Sequence, residues 1–428
     1  MMHIKSMKER TKRLTISPIA DPPMVYIPLI KKFGNSPEPV VKVGDEVKKY
    51  QLVGKAPEGF SASIHSSVSG RVVKIEDCLQ VGGKKAKTII IENDFKDTEE
   101  DLPKEDTCEY SAKELLKIVE DAGIVGEGGA EFPAALKYKI EDKKVDTFIL
   151  NGAECEPYLT PDYAMMSQRT EEFFQGILIT NRILNAKNIV IAIEENNKDL
   201  QDVFAPLLAR EEYSNIRVKV VPNEYPQGGE LQLIRTVTGM EVPDDKQPID
   251  AGIIMNNIGT IYAVYEAVVN RRPVIDRIIT VSGEKAKECG NFTVKVGTLV
   301  SHIINQVGMP DRNTFVVVGG PMMGQGLVEQ DVPVTKGSTG ILLLEKEKVE
   351  RLHCIWCAYC AEVCPMMLMP MMYYELYRKG KYEKMKKYSL ESCIDCGSCE
   401  YICPSNVPLL KSIQKGKKKL KEMEDDTK

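Results

Sequence analysis

Two cysteine runs toward the C-terminal end constrain this chain more than any other feature. Cys354, Cys357, Cys360 and Cys364 lie in CIWCAYCAEVCP, and Cys393, Cys396, Cys399 and Cys403 in CIDCGSCEYICP. Each cysteine of the second run stands 39 residues after its counterpart (354 to 393). Both read C-x2-C-x2-C-x3-C-P, a run that holds [4Fe–4S] clusters, its last cysteine ligating the cluster of the other run. Thiolates are soft ligands suited to iron–sulfur cubes, and two-residue spacers let one loop bring three sulfurs to three irons. The pattern predicts one cluster on Cys354, Cys357, Cys360 and Cys403, and a second on Cys393, Cys396, Cys399 and Cys364. Structural zinc would instead pair two cysteines per knuckle. The implied chemistry is one-electron transfer.

At 428 residues the chain has room for roughly two to four domains. Its net charge of −5 gives no argument for nucleic acid. The remaining cysteines, Cys78, Cys108, Cys155 and Cys289, are scattered, which suits a reducing cytoplasm rather than a disulfide-stapled secreted protein. The opening MMHIKSMKERTKRLT is basic but precedes no apolar stretch of signal-peptide length, and reads as a tail. No run of 18 apolar residues predicts a membrane-spanning helix, so membrane association would come through a partner or a surface patch.

Between the tail and the cysteines the patterning changes three times. Residues 23–95 carry short Val and Ile runs broken by Gly and Asp, a small β-sandwich or barrel signature. KDTEEDLPKED (96–106) reads as a linker. From Ser111, whose S-x-x-E capping box with Glu114 starts a helix, to about 270, apolar strand-length runs (VDTFILN, NIVIAIE, IRVKVVP, AGIIMNN) alternate with helical stretches. That alternation predicts a parallel, doubly wound α/β sheet. Residues 272–345 return to β patterns around one amphipathic stretch, TLVSHIINQVG. MMYYELYRKGKYEKMKKYSL, between the cysteine runs, reads as helix, and the six lysines from Lys411 to Lys421 as a solvated helix face.

Three polar turns fall at expected strand ends: NGAECEP after VDTFIL, NEYPQGGE after RVKVVP, and NNIGT after AGIIM. Open α/β sheets bind ligands in the crevice outside those ends. A fourth loop, GIVGEGGAEFP (123–133), has the glycines for close backbone approach to a phosphate or ring, although it lacks both the GxGxxG and the Walker spacing.

Together, GIVGEGGAEFPAALK, NGAECEP, EYPQGGE and NNIGT resemble RnfC, the C component of the Rnf ion-translocating electron transport complex. They are also similar to the loops of the flavin-bearing, NADH-oxidising component of respiratory complex I. The resemblance runs from about 23 to 413. It implies a barrel-sandwich hybrid domain at 23–95, a Rossmann-like FMN/NADH-binding domain at 110–270, a β-grasp module of the SLBB type at 271–345, an α-helical ferredoxin-like domain with two [4Fe–4S] clusters at 346–413, and a Lys-rich, acidic tail at 414–428. By the same resemblance Gly126, Gly128, Lys137, Asn151, Glu154, Tyr225, Gly228, Gly229, Glu230, Asn256, Asn257 and Thr260 would hold FMN. Phe132 and Glu156 would face NAD(H), the substrate.

The activity so implied oxidises NADH, or reduces NAD+, through FMN and passes single electrons over two clusters. The implied partners are the other subunits of a membrane electron transport complex and a ferredoxin-like redox protein. The chain would then be cytoplasmic, peripheral on the inner face of the cell membrane. Other destinations share the domain order: a cobalamin reductase of a microcompartment, a carrier serving a proline reductase, or an adaptor and electron wire with a vestigial flavin pocket.

Two acids, Glu127 and Glu131, sit in the glycine loop, where a pyrophosphate tolerates them only if one is neutral or turned away. IHSSVSGRV resembles a lipoyl-carrier turn without its lysine, which makes 23–95 a scaffold. Trp356 and Tyr359 are expected to shield cluster sulfur from water. The methionines of PMMLMPMM are expected to pack in a core, and Cys155 to be a buried small residue.

Overall fold

The computed structural model describes residues 1–425 except 31–33, 58, 60, 103–108, 244, 309 and 310. Cys108 and most of the expected linker's second half therefore lie outside the described residues.

The alternating middle segment forms a four-stranded sheet in the order Ile216–Val221, Asn188–Glu194, Thr147–Gly152, Ile253–Asn257. Every pair in it is parallel. In chain order that is 3-2-1-4, so the direction of winding reverses between Thr147–Gly152 and Ile253–Asn257. Strands covered on both faces need apolar side chains on both, which is why FILNG and IVIAI read as continuous runs. One face carries Phe148, Leu150, Ile189 and Ile191 against helices Ala112–Asp121, Thr170–Leu184 and Ile258–Val269. The other carries Ile149, Ala192 and Ile253 against helix Glu230–Thr238. Helix Ala112–Asp121 starts at Ser111 with both bonds of its capping box made.

The N-terminal β unit has two small sheets. One runs Met24–Pro28, Lys85–Asn93, Gly70–Leu79, Glu46–Val47, and the other Glu38–Pro39, Leu52–Lys55, Ile64–His65. Val25, Ile27, Val53, Val72, Ile89 and Ile91 fill the space between them. Gly70 is required where it stands: a Cβ there would lie 1.9 Å from the Glu92 carbonyl oxygen.

Residues after 272, with Ser17–Pro18 from near the start of the chain added at one edge, form a mixed six-stranded sheet in the order Ser17–Pro18, Gly290–Lys295, Asp276–Ser282, Gly340–Glu345, Thr314–Val318, Gln325–Gly326. Helix Val300–Val307 packs on it through Val300, Ile303, Ile304 and Val307.

The C-terminal unit is helical, with Pro370–Arg378, Tyr382–Lys386 and Leu409–Asp425 as its longer pieces. The stretch expected as one helix between the cysteine runs is two, interrupted at Gly380, whose φ is +64°. The expected boundary at 413 falls inside helix Leu409–Asp425, which runs through the lysine-rich tail and buries Leu420. Its lysines are not uniformly solvated either, since Lys417 Nζ bonds Asp395 at 3.1 Å.

The basic opening segment is not a tail. It crosses the middle unit as a strap. Met2 and Tyr225 exchange backbone hydrogen bonds of 3.0 and 2.8 Å, and Tyr158 N–H donates to the Ser6 carbonyl at 2.8 Å. Arg10 donates to the carbonyls of Gly283 and Ala286 at 2.8 and 2.9 Å. Thr11 is fully buried beside Thr160 and Asn291. Its polar residues serve buried partners, so composition alone makes it look solvated.

Candidate functional site

The reversal of the sheet leaves a crevice beyond Thr147–Gly152 and Ile253–Asn257, where ligands of such sheets bind. The register sets Asn151 opposite Asn257 on one side and Ala192 on the other. A cleft of about 1860 Å³ opens there. That exceeds the ~300–1,000 Å³ of a site for one drug-sized ligand. Its walls include Gly128, Asn151, Glu154, Glu156, Tyr225, Gly228, Gly229, Glu230 and Asn257. Gly126, Phe132, Lys137, Asn256 and Thr260 stand back from that surface.

Many of these side chains bond one another. Asn151 donates to the Gly228 carbonyl at 2.9 Å and accepts from Ala153 N–H at 3.1 Å, tying two loops together. Asn257 caps helix Ile258–Val269 by accepting from Gly259 N–H at 2.9 Å, and donates to Asp162 at 2.7 Å. Thr260 accepts from Glu127 N–H at 3.0 Å, and Lys137 pairs with Glu230 at 2.9 Å. Gly228 permits a close approach, because a Cβ there would meet the Ala153 carbonyl oxygen at 2.3 Å. Cys155, expected to be buried, is half-buried on the cleft wall; its Sγ accepts from Gly228 N–H at 3.4 Å, and desolvation pushes its thiol up to about 12. Glu156 accepts from Met322 and Met323 N–H at 3.0 and 2.9 Å, which directs its carboxylate onto that loop.

The two acids of the glycine loop are both engaged. Glu127 forms a buried ion pair with Arg277, whose guanidinium also donates to the Glu127 carbonyl at 3.2 Å and is itself held down to about 9 by burial. Glu131 accepts from the Thr335 hydroxyl at 2.8 Å. Arg277 arrives on a strand of the six-stranded sheet and also lines the cleft. No motif in the sequence pointed to it.

A second missed residue is Lys8, from the strap. It donates to the Glu154 carbonyl and lies 3.9 Å from the Glu154 carboxylate, both side chains buried. Glu154, Asp162 and Glu194 form an acidic group around it. Burial raises all three, Asp162 well above the ordinary range and Glu194 to about 7, while Lys8 opposes each shift. Asn256 Oδ1 and both side-chain polar atoms of Gln227 are buried without hydrogen-bond partners.

The helical unit holds two small cavities. One is lined by Cys354, Cys357, Cys360 and Cys403, the other by Cys364, Cys393, Cys396 and Cys399. Each gathers three sulfurs from one run and one from the other. Burial raises the Cys393 thiol to about 11 and that of Cys399 further. Several free thiols packed in an apolar cavity make poor thiolates on their own. A bound metal supplies the charge that deprotonates them, so the donor set fits an iron–sulfur cube. Val407 N–H donates to Cys403 Sγ, and the Cys396 thiol donates to the Ser398 hydroxyl oxygen, each at 3.4 Å. The two cavities differ in surroundings. Cys393, Ile394 and Cys396 share the large cleft's wall, and Tyr225 O–H donates to the Cys396 carbonyl at 2.7 Å. Trp356 and Tyr359, expected to shield sulfur, do line the first cavity, and their outer faces leave them about half exposed. Of PMMLMPMM, Met371 is buried and Met367 is not.

Residues 119–266 match the Nuo51 FMN-binding domain and 353–407 the 4Fe-4S dicluster domain. The fold and cysteine cavities thus define a protein that joins an FMN-binding domain to an iron–sulfur domain. Residues 2–96 match the RnfC barrel sandwich hybrid domain. The C component of the proton-translocating ferredoxin:NAD(+) oxidoreductase complex of Clostridium ljungdahlii is 41% identical over 383 residues, 88% of this chain and 83% of that one. Its counterpart in the Na(+)-translocating ferredoxin:NAD(+) oxidoreductase complex of Acetobacterium woodii is 36% identical over 391 residues, 90% and 88% of the two chains. The C component of the ion-translocating oxidoreductase complex of Haemophilus influenzae is 35% identical over 411 residues, and this chain spans 63% of its length. The chain belongs to the RnfC family, the C components of Rnf-type ion-translocating oxidoreductase complexes. Among solved structures, NAD+-reducing [NiFe]-hydrogenase in the H2-reduced state shares the fold, with a TM-score of 0.51 and 17% identity over 73% of this chain and 61% of that one.

Proposed function

We propose that this chain is the NADH-linked electron-transfer subunit of a membrane ferredoxin:NAD+ oxidoreductase, with FMN in the crevice and two [4Fe–4S] clusters in the cysteine cavities. One observation carries the reading: Cys393 and Cys396 line the same cleft as the NGAECEP and EYPQGGE loops. A flavin and an iron–sulfur centre bound at these places would be neighbours. When bound, the flavin supplies interchange between a hydride and single electrons, and the clusters supply one-electron steps.

The protein's own part is to hold and orient. The N-termini of helices Glu230–Thr238 and Ile258–Val269 lie at the cleft through Glu230 and Asn257, and the first has no side-chain cap, so its leading N–H groups suit a phosphate. Gly128, Gly228 and Gly229 let the backbone come close to FMN, Tyr225 and Glu230 complete its cradle, and Gly126 and Asn256 support it from behind the cleft surface. Asn151, Glu154, Asn257, Thr260 and Lys137 keep the loops in register. Arg277 removes the charge of Glu127 from the path of an anionic ligand. Phe132 and Glu156 belong to the NAD(H) end. The unit at 271–345 is assigned as a β-grasp module of the SLBB type, between a flavin domain at 110–270 and a dicluster domain from 346.

The partners are the other subunits of the complex and a ferredoxin-like protein. Attachment at the inner face runs through those subunits; among the described residues no helix is long and apolar enough to cross a membrane. Anaerobic purification tests the reading. About eight irons and one flavin per chain, with visible absorbance bleached by NADH, are expected. Colourless, iron-poor protein overturns it, and iron without flavin reduces the chain to an electron wire.

A further inference from the structure

The two cysteine loops are backbone copies of each other, 39 residues apart. Trp356 and Asp395, at equivalent places, have φ of +56° and +55°, and Ala358 and Gly397 have +66° and +78°. Short helices Tyr359–Glu362 and Ser398–Tyr401 follow each loop. What covers the copies differs. The second is roofed by this chain: Ile394 packs against Met2 and Tyr225, Lys417 neutralises Asp395 at 3.1 Å, and Ser398 is 1% exposed. A Cβ on Gly397 would stand 2.9 Å from the Met322 carbonyl oxygen.

The first copy has the same isoleucine at Ile355 but larger and more apolar side chains at Trp356 and Tyr359, in place of Asp395 and Ser398, and nothing among the described residues covers them. Ile355 is 67% exposed, Trp356 53% and Tyr359 50%. Of the eight motif cysteines only Cys357 is exposed. Exposed apolar clusters of this kind mark interaction surfaces, and Trp and Tyr are the residues on which binding energy concentrates.

We propose that the face formed by Ile355, Trp356 and Tyr359 around Cys357 is the docking surface for a separate protein that carries its own one-electron centre beneath an apolar patch. The inference rests on the functional reading above. The internal copy identifies the occupant. At the second loop the cover over Ile394 is apolar and includes Tyr225 of the unit that would exchange electrons with that centre, so the open loop calls for an equivalent cover. The face itself is uncharged, so its binding depends little on salt, unlike docking through the lysines of helix Leu409–Asp425. One electron crosses at a time, oxidising the centre held by Cys354, Cys357, Cys360 and Cys403 and reducing the partner's by one. Two crossings match the two electrons released when NADH becomes NAD+ and a proton.

The second loop supplies substitutions that its backbone already accepts: Trp356→Asp and Tyr359→Ser. The cofactor-loaded chain, wild type or variant, is titrated anaerobically into membrane vesicles from cells deleted for it, and read by co-sedimentation and by NADH-driven reduction of the vesicles' redox centres. The double variant should bind and deliver electrons about 10-fold less well or worse, with iron content and NADH bleaching of its own chromophores unchanged. Wild-type binding should weaken less than about 3-fold from low to high salt. A double variant that sediments like wild type overturns the proposal. So does wild-type self-association that the variant abolishes, since the face would then meet a second copy. Failure of NADH to bleach the wild-type chain would sink the functional reading instead, and co-sedimentation would still decide the surface.

Discussion

Replacing Glu194 by Gln should remove a pH dependence built into the flavin-domain core. Glu194 closes strand Asn188–Glu194, is fully buried, and neither carboxylate oxygen has a hydrogen-bond partner. Burial is the main cause that raises it from 4.5 to about 7; Lys8 opposes the shift and Glu154 adds to it. Between those values the folded chain keeps a proton that the unfolded chain has released, so stability falls as pH rises through the window and levels off above it. At ~1.4 kcal/mol per pH unit, the wild type loses about 2 kcal/mol between pH 5.5 and pH 8 on this account. Gln carries no titrating proton, and any constant cost of its amide cancels in the comparison. The gap in melting midpoint between Glu194→Gln and wild type should therefore shift in the variant's favour by about 4–8 °C from pH 5.5 to pH 8, for a unit of 150–250 residues. Anaerobic thermal melts of both proteins at the two pH values measure it. A gap that stays constant would refute the buried, protonated carboxyl.

Lys8→Met strips the counter-charge from Glu154, Asp162 and Glu194, and breaking a buried pair this way costs about 3–5 kcal/mol; a lower melting midpoint and weaker flavin retention are expected, and neither changing would show the strap to be incidental. Gly228→Ala pushes a methyl to 2.3 Å from the Ala153 carbonyl oxygen, so the two loops must separate; FMN titration by fluorescence quenching should show lost binding with iron content intact. Cys360→Ala should remove about half the cluster iron and leave flavin content nearly unchanged, because its sulfur faces one cavity only; equal loss of both on iron and flavin assays would contradict separate modules.

Glu131 bears on the wire alternative, since a carboxylate free in the cleft would repel a pyrophosphate. Its bond to the Thr335 hydroxyl and the pairing of Glu127 with Arg277 leave the glycine loop less hostile to an anion than its composition suggests. The sequence shows two acids within five residues. Their partners come from 204 and 150 residues away along the chain.

That contrast describes the whole protein. Spacing within a loop is covalent geometry, so C-x2-C-x2-C-x3-C-P, the Ser111 capping box and the strand-length apolar runs could be read directly, as could the polar turns at strand ends. A parallel α/β sheet then placed Asn151 beside Asn257, because the winding reverses between their strands. What could not be read depends on packing between distant segments. Lys8 looks like part of a solvated tail until Glu154 and Glu194 are seen closing around it. Trp356 reads as a shield for sulfur, and only the fold shows that the roof of the second loop has no counterpart over its outer face among the described residues. Local pattern determines which atoms can ligate or turn. Only the assembled fold decides which charges are neutralised and which faces remain open, since both depend on neighbours that sequence separation does not reveal.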